Sequence, residues 1–250
     1  MSTPAIHTKW RQVWEQRELD DAVLQSADTA ELFIALKHAN GFDVVNGGIP
    51  YASMMAQYAV TKQTLLEHAP AAKSLYEVGC GSGANLLLFE RDGWKVGGVD
   101  YSASLIDMAN KVLETDDLLY APASEMPDSP VYDCLLSNSV FSYFADKAYA
   151  ETVLNKMLRK AKYAIALFDI HDIAQKEAFT AYRRAEIADY EERYRDLPKL
   201  FYDKAFFERF ARKNGLSIEF IDFCKKSSKT YNFSPENIQP VRHKVYKVSG

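Results

Sequence analysis

The chain is short of several things, and each shortage narrows what it can be. Only three of its 250 residues are cysteine, Cys80, Cys134 and Cys224, widely spaced and odd in number. That argues against a disulfide framework and against paired zinc ligands, and for reduced thiols. There is no surplus of positive charge: 30 Lys and Arg face 34 Asp and Glu, a formal net charge of −4. Non-specific attraction to nucleic acid or to an anionic membrane surface is therefore not expected. The one dense basic run, Lys225-Lys226-Ser227-Ser228-Lys229, reads as a solvated loop. No uncharged apolar run approaches the roughly 18 residues of a membrane-spanning helix. The first 11 residues hold no apolar stretch of signal-peptide type. Together these features lead us to expect a cytoplasmic protein, with no nucleic-acid or membrane partner. No internal repeat or low-complexity tract is visible.

Against those shortages, the apolar content of 48% and charged content of 26% are those of an ordinary folded domain. The length suits one large domain, or one domain with a modest cap. Glycine is sparse, at 11 residues, yet Gly79, Gly81 and Gly83 sit at alternate positions in Ser74-Leu75-Tyr76-Glu77-Val78-Gly79-Cys80-Gly81-Ser82-Gly83-Ala84-Asn85. This reads as a buried strand, a tight turn and a helix over 85–92. Such a turn aims free N–H groups and the positive end of a helix dipole at whatever lies above it. A ribose, carboxylate or phosphate suits that place.

Two cofactor classes use a turn of this kind. Gly79, Gly81 and Ala84 satisfy the dinucleotide pattern G-x-G-x-x-G/A in its weak form. The other pattern has an acid two residues before G-x-G-x-G, and Glu77-Val78-Gly79-Cys80-Gly81-Ser82-Gly83 satisfies it in full. In this the chain resembles the class I S-adenosylmethionine-dependent methyltransferases. The resemblance spans about 74–248, and it implies S-adenosylmethionine as cofactor, held in part by Glu77, Gly79, Cys80, Gly81 and Gly83.

Helices are expected over 9–24, 28–40 and 51–68, separated in part by loop chemistry at 41–50, so that 1–70 forms an N-terminal helical cap. From 71 onward strands and helices alternate: strands over 74–78, 95–100, 118–121, 131–137 and 163–169, with helices over 85–92, 103–113 and 147–161 between them. Alternation of this kind implies right-handed crossovers and a parallel sheet. The rhythm breaks at an insertion over 172–202, read as one long helix over 173–195 near the acceptor pocket. A helix over 203–214 and strands over 216–223 and 242–248 follow. The fold class is therefore α/β. The resemblance implies a Rossmann-like, doubly wound, seven-stranded sheet, mostly parallel with an antiparallel last strand.

Asp100 ends the second strand, where a carboxylate can accept from two ribose hydroxyls. The resemblance assigns the acid here the same task, and Tyr101 is placed to lie against the adenine. After the third strand the family often has an aspartate that reads the adenine amino group. Pro122 stands in its place, so adenine contacts fall to Ala123 and Ser124. Ser137 and Asn138, at the end of the fourth strand, resemble the family segment that meets the amino-acid end of the cofactor. Phe141 and Tyr143 are candidates to flank the sulfonium, since a cation favours aromatic faces.

His171, flanked by Asp169 and Asp172 after the fifth strand, is the candidate general base, with Tyr143 a second catalytic candidate. The same three residues lack a fourth metal ligand, so no metal site is expected. Trp14, Tyr51, Phe141, Tyr143, His171 and Tyr202 are the candidate acceptor-lining residues. Trp10 and Trp14 read equally as core anchors, and the Tyr–Arg mixture of the insertion reads equally as an amphipathic helix. The expected activity is methyl transfer from S-adenosylmethionine to an oxygen or nitrogen of a small-molecule acceptor by a monomer or homodimer. The alternatives are an NAD(P)-dependent oxidoreductase and a non-catalytic S-adenosylmethionine-binding protein.

Overall fold

Side-chain alternation along β1, Ser74–Val78, divides the interior of the protein in two. Successive residues of a strand point to opposite faces, so Leu75 and Glu77 face one side of the sheet and Tyr76 and Val78 the other. All four are buried. This is a computed structural model; it describes residues 5–42, 50–222 and 242–247. Part of the loop expected at 41–50, Phe223, Cys224, the basic run 225–229 and Val248 lie outside the described residues.

Five parallel strands form the centre of the sheet. β1 pairs with β2 (Lys95–Asp100) and with β4 (Tyr132–Asn138); β3 (Leu118–Tyr120) adds beyond β2 and β5 (Ala161–Phe168) beyond β4. β7 (Arg242–Lys247) runs antiparallel to both β5 and β6 (Ser217–Asp222), giving the order β3-β2-β1-β4-β5-β7-β6. The chain reverses direction across the sheet between β1 and β4. In such open sheets the crevice beyond the strand C-termini at that point takes the ligand.

The first sheet face carries α5 (Ala84–Arg91), α6 (Ala103–Val112) and two helices from the N-terminal segment, α3 (Thr29–Lys37) and α4 (Tyr51–His68). Leu32, Phe33 and Leu36 of α3 and Met54 and Leu65 of α4 belong to the same buried cluster as Leu75, Leu86 and Leu136. The boundary expected at residue 70 therefore does not separate two cores. The opposite face is covered by α7 (Lys147–Lys160) and α10 (Lys204–Lys213), whose Phe206, Phe207 and Phe210 pack on Tyr76, Leu135 and Leu167.

Two helices expected to be continuous are broken. The first ends at Glu15 as α1 (Ala5–Glu15), and a short α2 (Asp21–Leu24) restarts where the Asp20 carboxylate caps Ala22 N–H. An aspartate competes with the helix interior for its own neighbouring N–H groups, so it starts helices rather than continuing them. The span 173–195 likewise divides into a 3-10 turn at Ile173–Gln175, α8 (Lys176–Glu186) and α9 (Tyr190–Arg193). Between α8 and α9 Asp189 takes a left-handed φ of 55°. No helix among the described residues is long and apolar enough to cross a membrane.

Because α3 shares the central core, Phe33→Ala is expected to destabilise the protein by about 3–5 kcal/mol in denaturant unfolding, the usual loss for a buried phenylalanine. A change below about 1 kcal/mol would mean that α3 is a detachable cover.

Candidate cofactor and acceptor site

At the C-terminal tip of β1 the backbone folds into a bend at Gly79, Gly81 and Gly83, with φ of 74°, 54° and 80°. L-residues with side chains avoid that region. Space enforces the same choice at two of these positions. A Cβ on Gly79 would lie 2.3 Å from Val140, and one on Gly81 2.3 Å from the Asn40 carboxamide oxygen. The bend is tied to β2 by Gly79 and Cys80 N–H groups, both donating to Val99 O.

Asp100 turns toward this bend. Gly81 N–H donates to its Oδ2 and Ser102 N–H to its Oδ1, both at 2.9 Å. Each carboxylate oxygen keeps a lone pair for a further donor. Burial pushes the Asp100 carboxyl up to about 6, against the pull of those N–H donors. Ala121 N–H donates to Asp100 O, which fixes the end of β3 beside it.

Beneath the bend runs a buried polar chain that joins three elements. The Asn85 side-chain N–H donates to Glu77 Oε1 at 2.6 Å, and Lys37 Nζ donates to Asn85 Oδ1 at 2.6 Å. Glu77 Oε2 is buried without a hydrogen-bond partner. Desolvation pushes the Glu77 carboxyl up and the Lys37 ammonium down, while the attraction between them works the other way on both. From α3 Leu36 O accepts from the Ser82 hydroxyl, and from the π-helical turn His38–Phe42 that follows it Asn40 Oδ1 accepts from Ser82 N–H, each at 2.9 Å. Sequence reasoning missed Lys37, Asn40 and Asn85. The available signal was a lysine one turn after Phe33, on the helix that carries Leu32 and Leu36.

The adenine side is less open than expected. Ser124 N–H donates to the Tyr149 hydroxyl at 3.4 Å, and Ala123 lies in a 3-10 turn that closes at Met126. Tyr101 is held well above the usual tyrosine range, chiefly by burial, and Trp14 on α1 works against this at the tip of β2.

Beyond β4 and β5 lies a second cluster. Ser139 and Asp169, at the two strand ends, both adopt left-handed φ, 61° and 53°, and the Ser139 hydroxyl donates to Asp169 Oδ2 at 2.7 Å. Non-glycine residues in that region mark strain held by their surroundings, often at functional sites. The His171 ring packs against Phe179 and Phe201, with centroids 4.5 and 5.2 Å away, and its Nδ1 is buried without a partner. Burial holds the imidazole down at about 4; Asp169 opposes this, and Lys199 and Arg183 reinforce it. Trp10 and Trp14 stand edge-on to Tyr143, at 4.7 and 5.5 Å. Tyr143 itself is held well above the usual tyrosine range, chiefly by burial.

Four expectations are corrected by packing. Phe141 is fully buried among Phe144, Tyr202 and Phe207, so it is a core residue and does not flank the cofactor. Tyr202 is equally buried, and its hydroxyl donates to Phe141 O at 2.8 Å. The Ser137 hydroxyl is taken by Val78 O at 3.0 Å and ties β4 to β1. The Cys80 thiol is buried against Gly98 and pushed well up by desolvation, so only its backbone belongs to the bend. Asn138 stays half-buried, its side chain 3.3 Å from the Ser139 oxygen, whose one proton goes to Asp169. Tyr51 is exposed against Phe33, apart from the cluster of Trp14, Tyr143 and His171.

Comparison with known proteins agrees with this geometry. The family model described as a methyltransferase domain matches residues 76–166, from β1 through β5. The match spans about a third of the chain and is in line with its resemblance to the class I S-adenosylmethionine-dependent methyltransferases.

Among solved structures, the plantazolicin methyltransferase BpumL in complex with S-adenosylhomocysteine superposes with a TM-score of 0.63 at 14% identity, covering 98% of this chain and 100% of that one. Magnesium protoporphyrin IX methyltransferase from Synechocystis PCC 6803, with bound S-adenosylmethionine, gives 0.55 at 14% identity over 100% of both chains. At these identities the likeness is one of fold. No curated protein sequence matches the chain.

The enclosed imidazole gives a pH signature. Its folded pKa of about 4 lies below the unfolded 6.5, so the folded state binds fewer protons between those values. The stability tied to neutral His171 is complete above pH 6.5 and is lost as pH falls toward 4. An NMR titration, with the resonance assigned by its absence in His171→Asn, is expected to show no midpoint between pH 8 and 5. A midpoint near 6.5 would show a ring open to water.

Proposed function

We propose that the protein transfers the methyl group of S-adenosylmethionine to an oxygen or nitrogen of a compact small-molecule acceptor. The observation that carries this reading is the position of Asp100, whose carboxylate lies against the glycine bend with lone pairs to spare. A side chain at Gly79 or Gly81 would collide with its neighbours, and Glu77 keeps a buried oxygen without a donor. Such a cradle fits a ligand with two hydroxyls, a carboxylate and an ammonium. Bound there, S-adenosylmethionine supplies a methyl group already activated on a sulfonium.

The chain's own residues then orient an acceptor, exclude water and take a proton. Asp100 is assigned to the ribose hydroxyls, and the bend with the N-terminus of α5 to the polar end of the ligand. Tyr101, Ala123 and Ser124 are assigned to the adenine side, and Asn138 to the rim. On the acceptor side Trp14 and Tyr143 form an aromatic wall. The partnerless Nδ1 of a neutral His171 is the group that receives the acceptor's proton. The N-terminal helices act as the cap: α3 holds the bend, and α1 closes the aromatic side. This closure favours a compact acceptor over a macromolecular one.

Titration calorimetry with S-adenosylmethionine tests the cradle. Asp100→Ala is expected to weaken binding by about 1.5–3 kcal/mol, the scale of a hydrogen bond to a charged group; unchanged affinity would remove Asp100 from the ribose. Turnover can be followed as a gain of one methyl unit by labelled products from metabolite extracts. There His171→Ala is expected to cost on the order of 10²-fold, and a wild-type rate would retire it as the base.

A further inference from the structure

The cluster beyond β4 and β5 contains a cation that the cofactor cradle does not use. Lys199 lies on an extended segment pinned on both sides. Pro198 O accepts from the Trp10 indole at 3.2 Å, and Leu200 N–H donates to Ser142 O at 2.7 Å. Tyr202 N–H donates to His171 O at 2.8 Å, and Ile173 N–H returns to Tyr202 O at 2.9 Å. Residues of an extended segment alternate in direction. Leu200 and Tyr202 accordingly enter the core, while Lys199 and Phe201 share the face toward α1 and His171.

The side chain at 199 is thereby held over aromatic rings. Its Nζ is 3.6 Å from the centroid of Tyr143 and 5.2 Å from that of Trp10. Among the described residues no carboxylate lies within ion-pair distance of Lys199. Arg183 is in the same position: its guanidinium stands over Tyr194 at 4.9 Å and Phe179 at 5.7 Å, without an ion pair. Phe179 also packs on His171, so the arginine and the imidazole share one aromatic platform. Asp169 is the acid whose field reaches both Lys199 and His171, and it is hydrogen-bonded to Ser139.

Ring faces attract a cation but replace only part of its lost hydration. Burial and Arg183 together pull the Lys199 ammonium down to about 7, with Asp169 opposing. Lys199 and Arg183 against Asp169 leave positive charge without a matching carboxylate, set among aromatic rings. A monoanion with an aromatic or apolar body completes it: the anion pairs with the ammonium, and the body stacks among Trp10, Tyr143 and Phe201.

Resting on the methyltransferase reading above, we propose that the acceptor carries a carboxylate, seated on Lys199 with Arg183 supporting, beside the His171 imidazole. Lys199 is then the residue that decides which acceptors enter. The reacting oxygen or nitrogen lies elsewhere on the same molecule, so the acid group orients the acceptor and is not consumed.

The test uses the full chain saturated with S-adenosylhomocysteine and four probes: benzoate and phenylacetate, each against its uncharged amide. Calorimetry is expected to show each acid binding at least about tenfold tighter than its amide, the scale of one charge-assisted hydrogen bond. Lys199→Met is expected to erase that preference by weakening the acids and leaving the amides within about twofold, and Lys199→Arg to retain most of it. S-adenosylhomocysteine affinity, unchanged in both variants, reports that they are folded. Acids that bind no better than amides, or a preference that survives in Lys199→Met, would overturn the proposal. Wild-type protein that fails to bind S-adenosylhomocysteine would instead defeat the reading on which the proposal rests.

Discussion

The grip of Asp100 on the glycine bend is the constraint from which the rest of the site follows. One carboxylate receives the N–H of Gly81 on one oxygen and that of Ser102 on the other. It thereby joins the turn after β1 to the turn after β2, across the two strands beside the reversal point of the sheet. Two charge-assisted bonds from rigid backbone leave the carboxylate little freedom, and a pre-oriented acceptor loses little entropy on meeting a ligand. The left-handed geometry of Gly79 and Gly81 is the condition for this contact, because side chains there would meet Val140 and Asn40.

Beneath that contact the protein tolerates a buried acid and a buried lysine that are joined by an amide rather than directly. Asn85 accepts from Lys37 and donates to Glu77. A bare carboxylate in the core would be costly, and the chain of donors lowers that cost without closing both oxygens. The same chain ties the N-terminal segment to the bend, and Asn40 and Leu36 strengthen the link through Ser82. The helices before the first strand are thus part of the cradle, and their apolar faces are part of the central core. The fold gives no basis for treating the first 70 residues as an appendage.

The cluster beyond β4 and β5 is built on opposite terms. Among the described residues its Lys199 and Arg183 make no ion pair, its imidazole is neutral, and its rings come from α1, from the turn after β4 and from the segment before α10. Paired left-handed residues at Ser139 and Asp169 hold the strand ends in a shape that relaxed backbone would leave. Burial of these groups weakens dielectric screening, so an unmatched charge among them counts for more than at the surface.

The order of strands and helices, the glycine bend and the acid at the end of β2 were legible in the chain alone. They rest on local rules: apolar runs for buried strands, glycine where φ turns positive, and a carboxylate at a strand tip. The breaks near Asp20 and Asp189 were not read, because apolar spacing continues across them while capping and turn geometry end the helix. Phe141 and Tyr202 were misplaced because aromatic residues serve cores and pockets alike, and nothing local tells which way a ring turns. Asn40, Asn85 and Lys199 were invisible as site residues, since each matters only through a partner distant in sequence, and Lys37 showed only as a lysine among the apolar residues of its helix. The amino-acid order by itself determined the glycine bend and the acid before it, because these lie in one continuous turn. Tertiary packing alone decided the aromatic cluster beyond β4 and β5, because its rings come from separate stretches of chain and meet only once these are pressed together.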